Sequence, residues 1–423
     1  MRPGKLASRW GAPLRLIGCT IGLLRSQWWS NEQIAAYQRA RLVDMLRHSV
    51  ERVPFYADLG LAAADIESSD DLQRFPVIRK HDVQRQTERF LARGVDKSEL
   101  HVSTSSGTTG EPAVTYFDDG SWLLVKFALK ARRVLSDVRW PRQRVLIMSA
   151  SHGHAWSSAP RFGLVSIAYM SLADPDPVEQ NLAELLRFKP TIVYGFPSYL
   201  LALADAAKSQ KIDLPRVPVI YTSSEVLSPA ARAALGRAYG GRVIDVYGSS
   251  EFKEIAVQCK HNNYHINFES VYVETVKEHD DAPARLLVTS LVNKAMPLIR
   301  YELGDTAETV AAPCPCGRSS MQLIRVQGRL AEMLEFPDGT RVSPYVLEDV
   351  IENDPAVRYF KIAHESPWSL RIEILADAAD PDAYRRNIEL RLRERLPAQA
   401  SLRFVALTER PRPVKRRAVS REF

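Results

Sequence analysis

The stretch STSSGTTGEP, residues 103–112, crowds hydroxyl side chains and two glycines onto consecutive positions. Val102-Ser103-Thr104 reads as the end of a strand. Gly107 and Gly110 permit positive φ and a close backbone approach that a side chain would block. The backbone N–H groups and hydroxyls of Ser103, Thr104, Ser105, Ser106, Thr108 and Thr109 can then form a nest for phosphate oxygens. No Gly-Lys-Ser/Thr follows, so the loop is not of the Walker type; by composition it could also be a Ser/Gly linker. A second constellation is built of sulfur and imidazole. Cys259 and His265 precede Cys314-Pro315-Cys316-Gly317, and three thiolates with one imidazole make a closed, structural Zn²⁺ site. The competing reading is that these cysteines are small buried apolar groups. Further groups able to do chemistry fall at the ends of apolar runs: Tyr247-Gly248-Ser249-Ser250-Glu251, Tyr194-Gly195-Phe196, Ser224, and His154 in SASHGHAW.

These residues need a scaffold. The chain has 423 residues, 45% hydrophobic and 25% charged, ordinary for a globular protein of two or three domains. VLIMSA (145–150), TIVYGF (191–196), PVIYTSS (218–224) and RVIDVYGSS (242–250) read as strands. Helices over 181–188, 198–210 and 228–240 alternate with them, which argues for a wound α/β sheet. Open sheets of this kind place ligands at the carboxyl ends of their strands. Residues 264–290 read as β-rich and antiparallel. Upstream, Ile34, Leu42, Leu46 and Val50 recur at helical spacing over 31–53, with Asn31 as a cap, and a short helix covers Ser69–Arg74. Gln327-Gly328-Arg329 reads as a joint. Beyond it come a strand–turn–strand (333–344), a helix (343–355), two strands (356–365, 369–377) and a charged helix (383–396). The expected fold is therefore α/β: a large N-terminal domain over 1–327, with a β-rich subdomain, and a small α+β domain over 328–423.

Composition also excludes. The net charge is +7, with Arg410, Arg412, Lys415, Arg416, Arg417 and Arg421 crowded at the end. No Cys/His finger or aromatic RNA-reading motif accompanies them, so nucleic acid is not an expected partner; anionic small molecules suit the balance. Four cysteines are too few for a disulfide scaffold and fit a reducing, cytoplasmic setting. No run of 18 apolar residues exists to span a membrane. LRLIGCTIGLL (14–24) superficially resembles a signal peptide, but Arg15 interrupts it and no small-residue cleavage site follows. It reads as an amphipathic helix lying on the protein, or weakly on a membrane surface.

The order STSSGTTG (103–110), YGSSE (247–251), RYELGD (300–305), Gly328-Arg329 and a C-terminal lysine resembles the adenylate-forming superfamily of acyl-CoA synthetases. Within it, the chain is similar to the phenylacetate–CoA ligase-like group and its capsule-biosynthesis-protein branch; VPFYADLG (53–60) and FPVIRKHD (75–82) share that likeness. The resemblance spans essentially the whole chain. It implies that Ser103, Thr104, Ser105, Ser106, Gly107, Thr108, Thr109 and Gly110 hold the ATP phosphates. Glu251 gives a hard oxygen to Mg²⁺, Tyr247 stacks on adenine, and Gly248, Ser249 and Ser250 complete that loop. Asp305 takes the ribose hydroxyls, although a turn-stabilising Asp is the plain reading. Arg329 is the hinge arginine, and the small C-terminal domain moves as a lid.

Lys415 is the implied catalytic cation, neutralising charge as the acid attacks the α-phosphate. It follows Val414 where the family has Gly, so Arg416 or Arg417 could serve instead. Ala331 stands at the place of the hinge aspartate, which leaves CoA open as the acceptor. His154, Tyr194, Gly195, Phe196 and Ser224 form the candidate substrate pocket for an apolar or aromatic acid, or else pack the loops. The expected activity is ATP-dependent conversion of a carboxylic acid to acyl-AMP with loss of pyrophosphate, then transfer to CoA or another acceptor. The alternatives are a nucleotidyltransferase, an amide- or N–N-bond-forming synthetase, and a non-catalytic ATP-binding scaffold. A homodimer is a further expectation.

Overall fold

The computed structural model describes residues 11–104, 113–137, 143–149, 155–161, 165–171, 177–225, 227–277, 284–329, 334–342, 347, 350–351, 356–376, 380–408 and 419–421. The chain divides into two compact units. One comprises Met1–Arg139 and Val246–Val326; the other comprises Trp140–Asp245 and Gln327–Phe423.

The first unit opens with helices Gly11–Ser26 and Asn31–Arg52. Asn31 is not the cap of the second. Ser30 is: its backbone is extended, its hydroxyl accepts from Gln33 N, and the Gln33 side chain takes the Ser30 N–H. This reciprocal box satisfies two orphan donors at once, which Asn31 could not do from inside the first turn. The predicted apolar stripe is buried, with Leu42 and Leu46 at 0% exposure and Val50 at 5%. Ser69–Arg74 is a 3₁₀ rather than an α segment. His101–Thr104 pairs antiparallel with Val114–Phe117, so Ser103 and Thr104 do end a strand.

The sheet of this unit is antiparallel where the sequence suggested it: Val271–Val276 pairs with Arg285–Ser290, which pairs with Tyr301–Val310. Gln322–Arg329, Tyr264–Ile266 and Lys253–Gln258 follow in spatial order. Phe75, Ile78, Phe90, Ile255, Val288 and Tyr301 belong to one apolar core here.

In the second unit, Gln143–Ser149, Val165–Ser171, Ile192–Gly195 and Val219–Ser223 are parallel, while Ala155–Arg161 is antiparallel to its neighbour. Helices Pro177–Phe188, Pro197–Ser209 and Pro229–Tyr239 alternate with these strands. Proline suits the first helical turn, where its missing N–H would have had no partner. Leu146, Val193, Leu200, Leu203, Ile220 and Leu235 form the core. The strand Arg242–Ser249 carries the chain from this unit into the first.

The C-terminal part of the second unit holds the hairpin Leu334–Glu335/Arg341–Val342, closed by Asp338-Gly339 with Gly339 at φ 83°. Its four-stranded sheet consists of Ser401–Ala406, Ser369–Ala376, Val357–Ser366 and Val419–Arg421. Helix Pro381–Arg393, capped by Asp380, buries Ile388 and Leu392 against Ile362 and Ile372. The α/β class expected from the sequence is the class observed.

Candidate active site and metal centre

In the first unit the sequence YGSSE turns a tight hairpin. Gly248 pairs with Glu254 and Ser249 with Lys253, next to a bulge at Tyr247/Gly248. A Cβ on Gly248 would lie 1.9 Å from the Lys253 carbonyl oxygen, so glycine is required there by backbone packing rather than by a ligand. Ser249 Oγ accepts both the Glu251 and Phe252 N–H groups at 3.2 Å, which fixes the turn. Glu251 is 8% exposed, and Tyr301 Oη donates to its Oε1 at 3.1 Å. Tyr247 Oη donates to Asp305 Oδ2 at 2.6 Å. Two residues 58 apart in sequence, both assigned to the nucleotide, are thus directly bonded. Asp305 follows Gly304, whose φ of 83° is left-handed territory that glycine enters freely.

The end of the strand His101–Thr104 is tied to the same hairpin. Ser103 Oγ donates to Ser250 O at 2.9 Å, and Lys253 Nζ donates to Ser103 Oγ. The Lys253 ammonium also stands 5.6 Å from the Phe117 ring centroid and 5.4 Å from that of Trp122, within cation–π range. Lys126 Nζ lies 5.4 Å from the same Trp122 ring. Burial, helped by the nearby Lys126 and Lys130 charges and opposed by Glu251, pulls Lys253 down to about 8. Sequence reasoning passed over Lys253. The available signal was a cation two residues beyond the glutamate, in a loop system otherwise without one.

The second constellation assembles. Cys259, His265, Cys314 and Cys316 present ligand atoms all within 4.8 Å of one another. Cys259 Sγ is 3.7 Å from Cys314 Sγ, and Cys316 Sγ is 3.3 Å from His265 Nε2. A tetrahedral Zn²⁺ with Zn–S of about 2.3 Å and Zn–N of about 2.0–2.1 Å requires S···S near ~3.8 Å and S···N near ~3.5 Å, so the donor set fits the ion. His265 Nδ1 is 3.0 Å from Ser320 Oγ, which orients the ring with Nε2 toward the thiols. Burial first, then the Arg318 charge, depresses His265 to about 4, which leaves the imidazole neutral and able to ligate. Asn263 Nδ2 donates to Cys314 Sγ at 3.3 Å. Gly317 at φ 91° lets its N–H return to Cys314 O at 2.9 Å, which closes the Cys-Pro-Cys turn. The two constellations share strands. Lys253–Gln258 runs from Glu251 toward Cys259, and Tyr301–Val310 carries Asp305 on its way to Cys314.

In the second unit, Tyr194-Gly195-Phe196 and Ser224 sit at the carboxyl ends of adjacent parallel strands. Glu225 ties the two loops: its carboxylate accepts from Ser198 N at 2.9 Å and from Ser198 Oγ at 2.8 Å. A carboxylate at a helix start also meets the positive end of the dipole. Ser224 holds φ at 71°, a strained value of the sort kept at functional loops. A Cβ on Gly195 would meet Met148 Sδ at 2.5 Å, so Gly195 serves packing. Ser105, Ser106, Gly107, Thr108, Thr109, Gly110, His154 and Lys415 lie outside the described residues, and Arg329 is described only as the last residue of its strand.

The α/β fold, together with YGSSE on a hairpin turn and Asp305 bonded to Tyr247, points to the adenylate-forming class. The sequence pattern of the AMP-binding enzyme family matches residues 35–274, more than half the chain, and the chain belongs to that family. It is similar to the phenylacetate-coenzyme A ligase of Aromatoleum evansii, at 27% identity over 82% of this chain and 83% of the relative. It is also similar to Protein CapK of Staphylococcus aureus, at 20% identity over 88% of this chain and 86% of the relative. Among solved structures, 2-hydroxyisobutyryl-CoA ligase in complex with R3-HIB-AMP matches with a TM-score of 0.80 at 20% identity, over 94% of this chain and 91% of the other. The resemblance read from the motifs is borne out.

Proposed function

We propose that the chain activates a carboxylic acid with ATP and passes the acyl group to CoA. A carboxylate oxygen attacks the α-phosphate, the bond from the α-phosphorus to the bridging oxygen breaks, and pyrophosphate leaves; the CoA thiolate then displaces AMP from the acyl carbon. The observation that carries this reading is the Tyr247–Asp305 hydrogen bond, which joins the residues assigned to adenine and ribose. Tyr247 would form one wall for the base, and Asp305 would accept from the ribose hydroxyls. The loop 103–110 supplies N–H and hydroxyl donors to the phosphates, and Lys253, bonded to Ser103, adds the cation the loop lacks. Glu251 would hold Mg²⁺, which screens phosphate charge. Lys415 would neutralise the pentavalent transition state, and Arg329 would contact the nucleotide at the hinge. The segment 328–423 is read as the lid following the domain 1–327.

Phe196 and Tyr194, together with the phenylacetate named in its relatives, support an aromatic acid. Cys259, His265, Cys314 and Cys316 would hold Zn²⁺ as a structural brace between the strands bearing Glu251 and Asp305, and their free thiols suit a reducing, cytoplasmic setting. Mass spectrometry of reactions with ATP, Mg²⁺ and a panel of acids tests the reading. Acyl-AMP, converted to the thioester on adding CoA, is expected. A stable AMP adduct unaffected by CoA would assign a nucleotidyltransferase instead.

A further inference from the structure

The helix Gly11–Ser26 carries apolar residues on two opposite faces. The inner face is used. Leu23 packs with Ala128 and Leu129, and Leu16, Cys19 and Leu124 close over them. At the helix end, Ser26 Oγ donates to Glu269 Oε1 at 2.6 Å, and Arg132 Nη1 donates to the same oxygen at 2.8 Å. Among the described residues, the outer face stays exposed. Leu14, Ile17 and Ile21, spaced i, i+3, i+7, are 69%, 55% and 45% exposed. Gly18 and Gly22 lie beside them with nothing within 4 Å of where a Cβ would stand, so the face is flat and open. Phe127, on the helical segment packed against this one, is 48% exposed. A surface helix ordinarily turns polar residues outward, and a contiguous exposed apolar stripe marks an interaction site.

Charge identifies the partner. Arg2, Lys5, Arg9, Arg15 and Arg25 precede Glu32, and no Asp or Glu comes before it. Trp28, 57% exposed, has the Arg318 guanidinium 5.8 Å from its ring. Apolar side chains, basic side chains and an interfacial tryptophan together are the makings of a helix that lies in the headgroup plane of an anionic bilayer. A second copy of this face would bring like charges together, which opposes self-association. At 16 residues the helix is too short to span a membrane, and none of the described helices is long and apolar enough to do so. We propose that Gly11–Ser26 docks this protein, lying flat, on an anionic lipid surface through Leu14, Ile17 and Ile21. The proposal is independent of the catalytic reading.

Co-sedimentation of the full chain with vesicles of 70% phosphatidylcholine and 30% phosphatidylglycerol, and with pure phosphatidylcholine, tests it. Partitioning onto the anionic vesicles is expected to exceed that onto neutral ones by at least about tenfold. It should fall by a similar factor in the double substitution Ile17→Glu/Ile21→Glu, and should weaken in Arg15→Gln/Arg25→Gln and at high salt. Circular dichroism and thermal melting confirm that each variant is folded. Sedimentation with neither vesicle, or equal binding by wild type and Ile17→Glu/Ile21→Glu, overturns the proposal. A dimer in solution that this double substitution dissociates overturns it too, and assigns the face to a second copy.

Discussion

Replacing Cys314 by Ser removes one of three thiolates from a cluster whose spacing matches tetrahedral zinc. Structural zinc binds zinc-finger peptides with apparent free energies of about 10–16 kcal/mol; a value near 12 corresponds to a Kd of about 1 nM. At ~10 µM free zinc the folded state then gains roughly 5 kcal/mol over an unfolded chain that does not bind the ion. For a unit of this size each kcal/mol moves the melting temperature by about 2–4 °C, so full loss of zinc should lower it by roughly 10–20 °C. Metal analysis by mass spectrometry and thermal melting with and without chelator give the readout. About one zinc per wild-type chain is expected, with little in Cys314→Ser and a melt of the variant that ignores chelator. Ser320→Ala, which frees the ring orientation of His265, should weaken zinc by about 10–100-fold without abolishing it. If Cys314→Ser retains full zinc, or if the wild type holds none and melts identically under chelator, the metal assignment fails.

Glu251→Gln keeps the volume and the Tyr301 hydrogen bond while removing the anionic oxygen. It should lower the adenylation rate by about 100-fold or more and shift the Mg²⁺ dependence to higher concentration, as magnesium titrations of initial rate would show. Lys253→Met deletes a charge-assisted bond to the loop base, worth about 1.5–3 kcal/mol. The KM for ATP and for pyrophosphate should rise roughly 10–100-fold, with Lys253→Arg recovering most of the loss; an unchanged KM with a lowered melting temperature would assign Lys253 to structure alone. In zinc-free protein, His265 is depressed from 6.5 to about 4, so the folded state binds fewer protons than the unfolded chain between those values. Its contribution to stability is complete above pH 6.5 and is lost as pH falls through about 4. Melting of chelated protein across this window should show the decline, and His265→Asn should flatten it.

The parts of the site that were readable from sequence are those where residue type and local punctuation coincide. YGSSE at the end of an apolar run and Cys-Pro-Cys-Gly each announce a turn, and each is found on one. Gly304-Asp305 also reads as a turn, but it lies within the strand Tyr301–Val310, where the pairing with Arg285–Ser290 shifts register. Local pattern was less informative where two good candidates stand side by side. Ser30 and Asn31 are both cap formers, and only Gln33, three residues beyond Ser30, decides between them. Gly248 was legible as a glycine but not for its reason, because the carbonyl it admits belongs to Lys253 across the hairpin. Least legible were contacts that only the folded chain creates. Lys253 gathers Ser103, Phe117 and Trp122 around one ammonium, and Glu225 caps the helix that starts after Phe196. Neither relation has a period or a spacing in the sequence.

The central claim is that the chain forms an acyl-AMP reversibly from ATP and a free acid. Exchange of radiolabelled pyrophosphate into ATP, measured with Mg²⁺ across a panel of aromatic and aliphatic carboxylic acids, tests this most directly. The expected result is exchange that depends on the acid, favours aromatic acids, and collapses in Glu251→Gln. Folded protein that binds ATP yet shows no acid-dependent exchange with any member of the panel would contradict it.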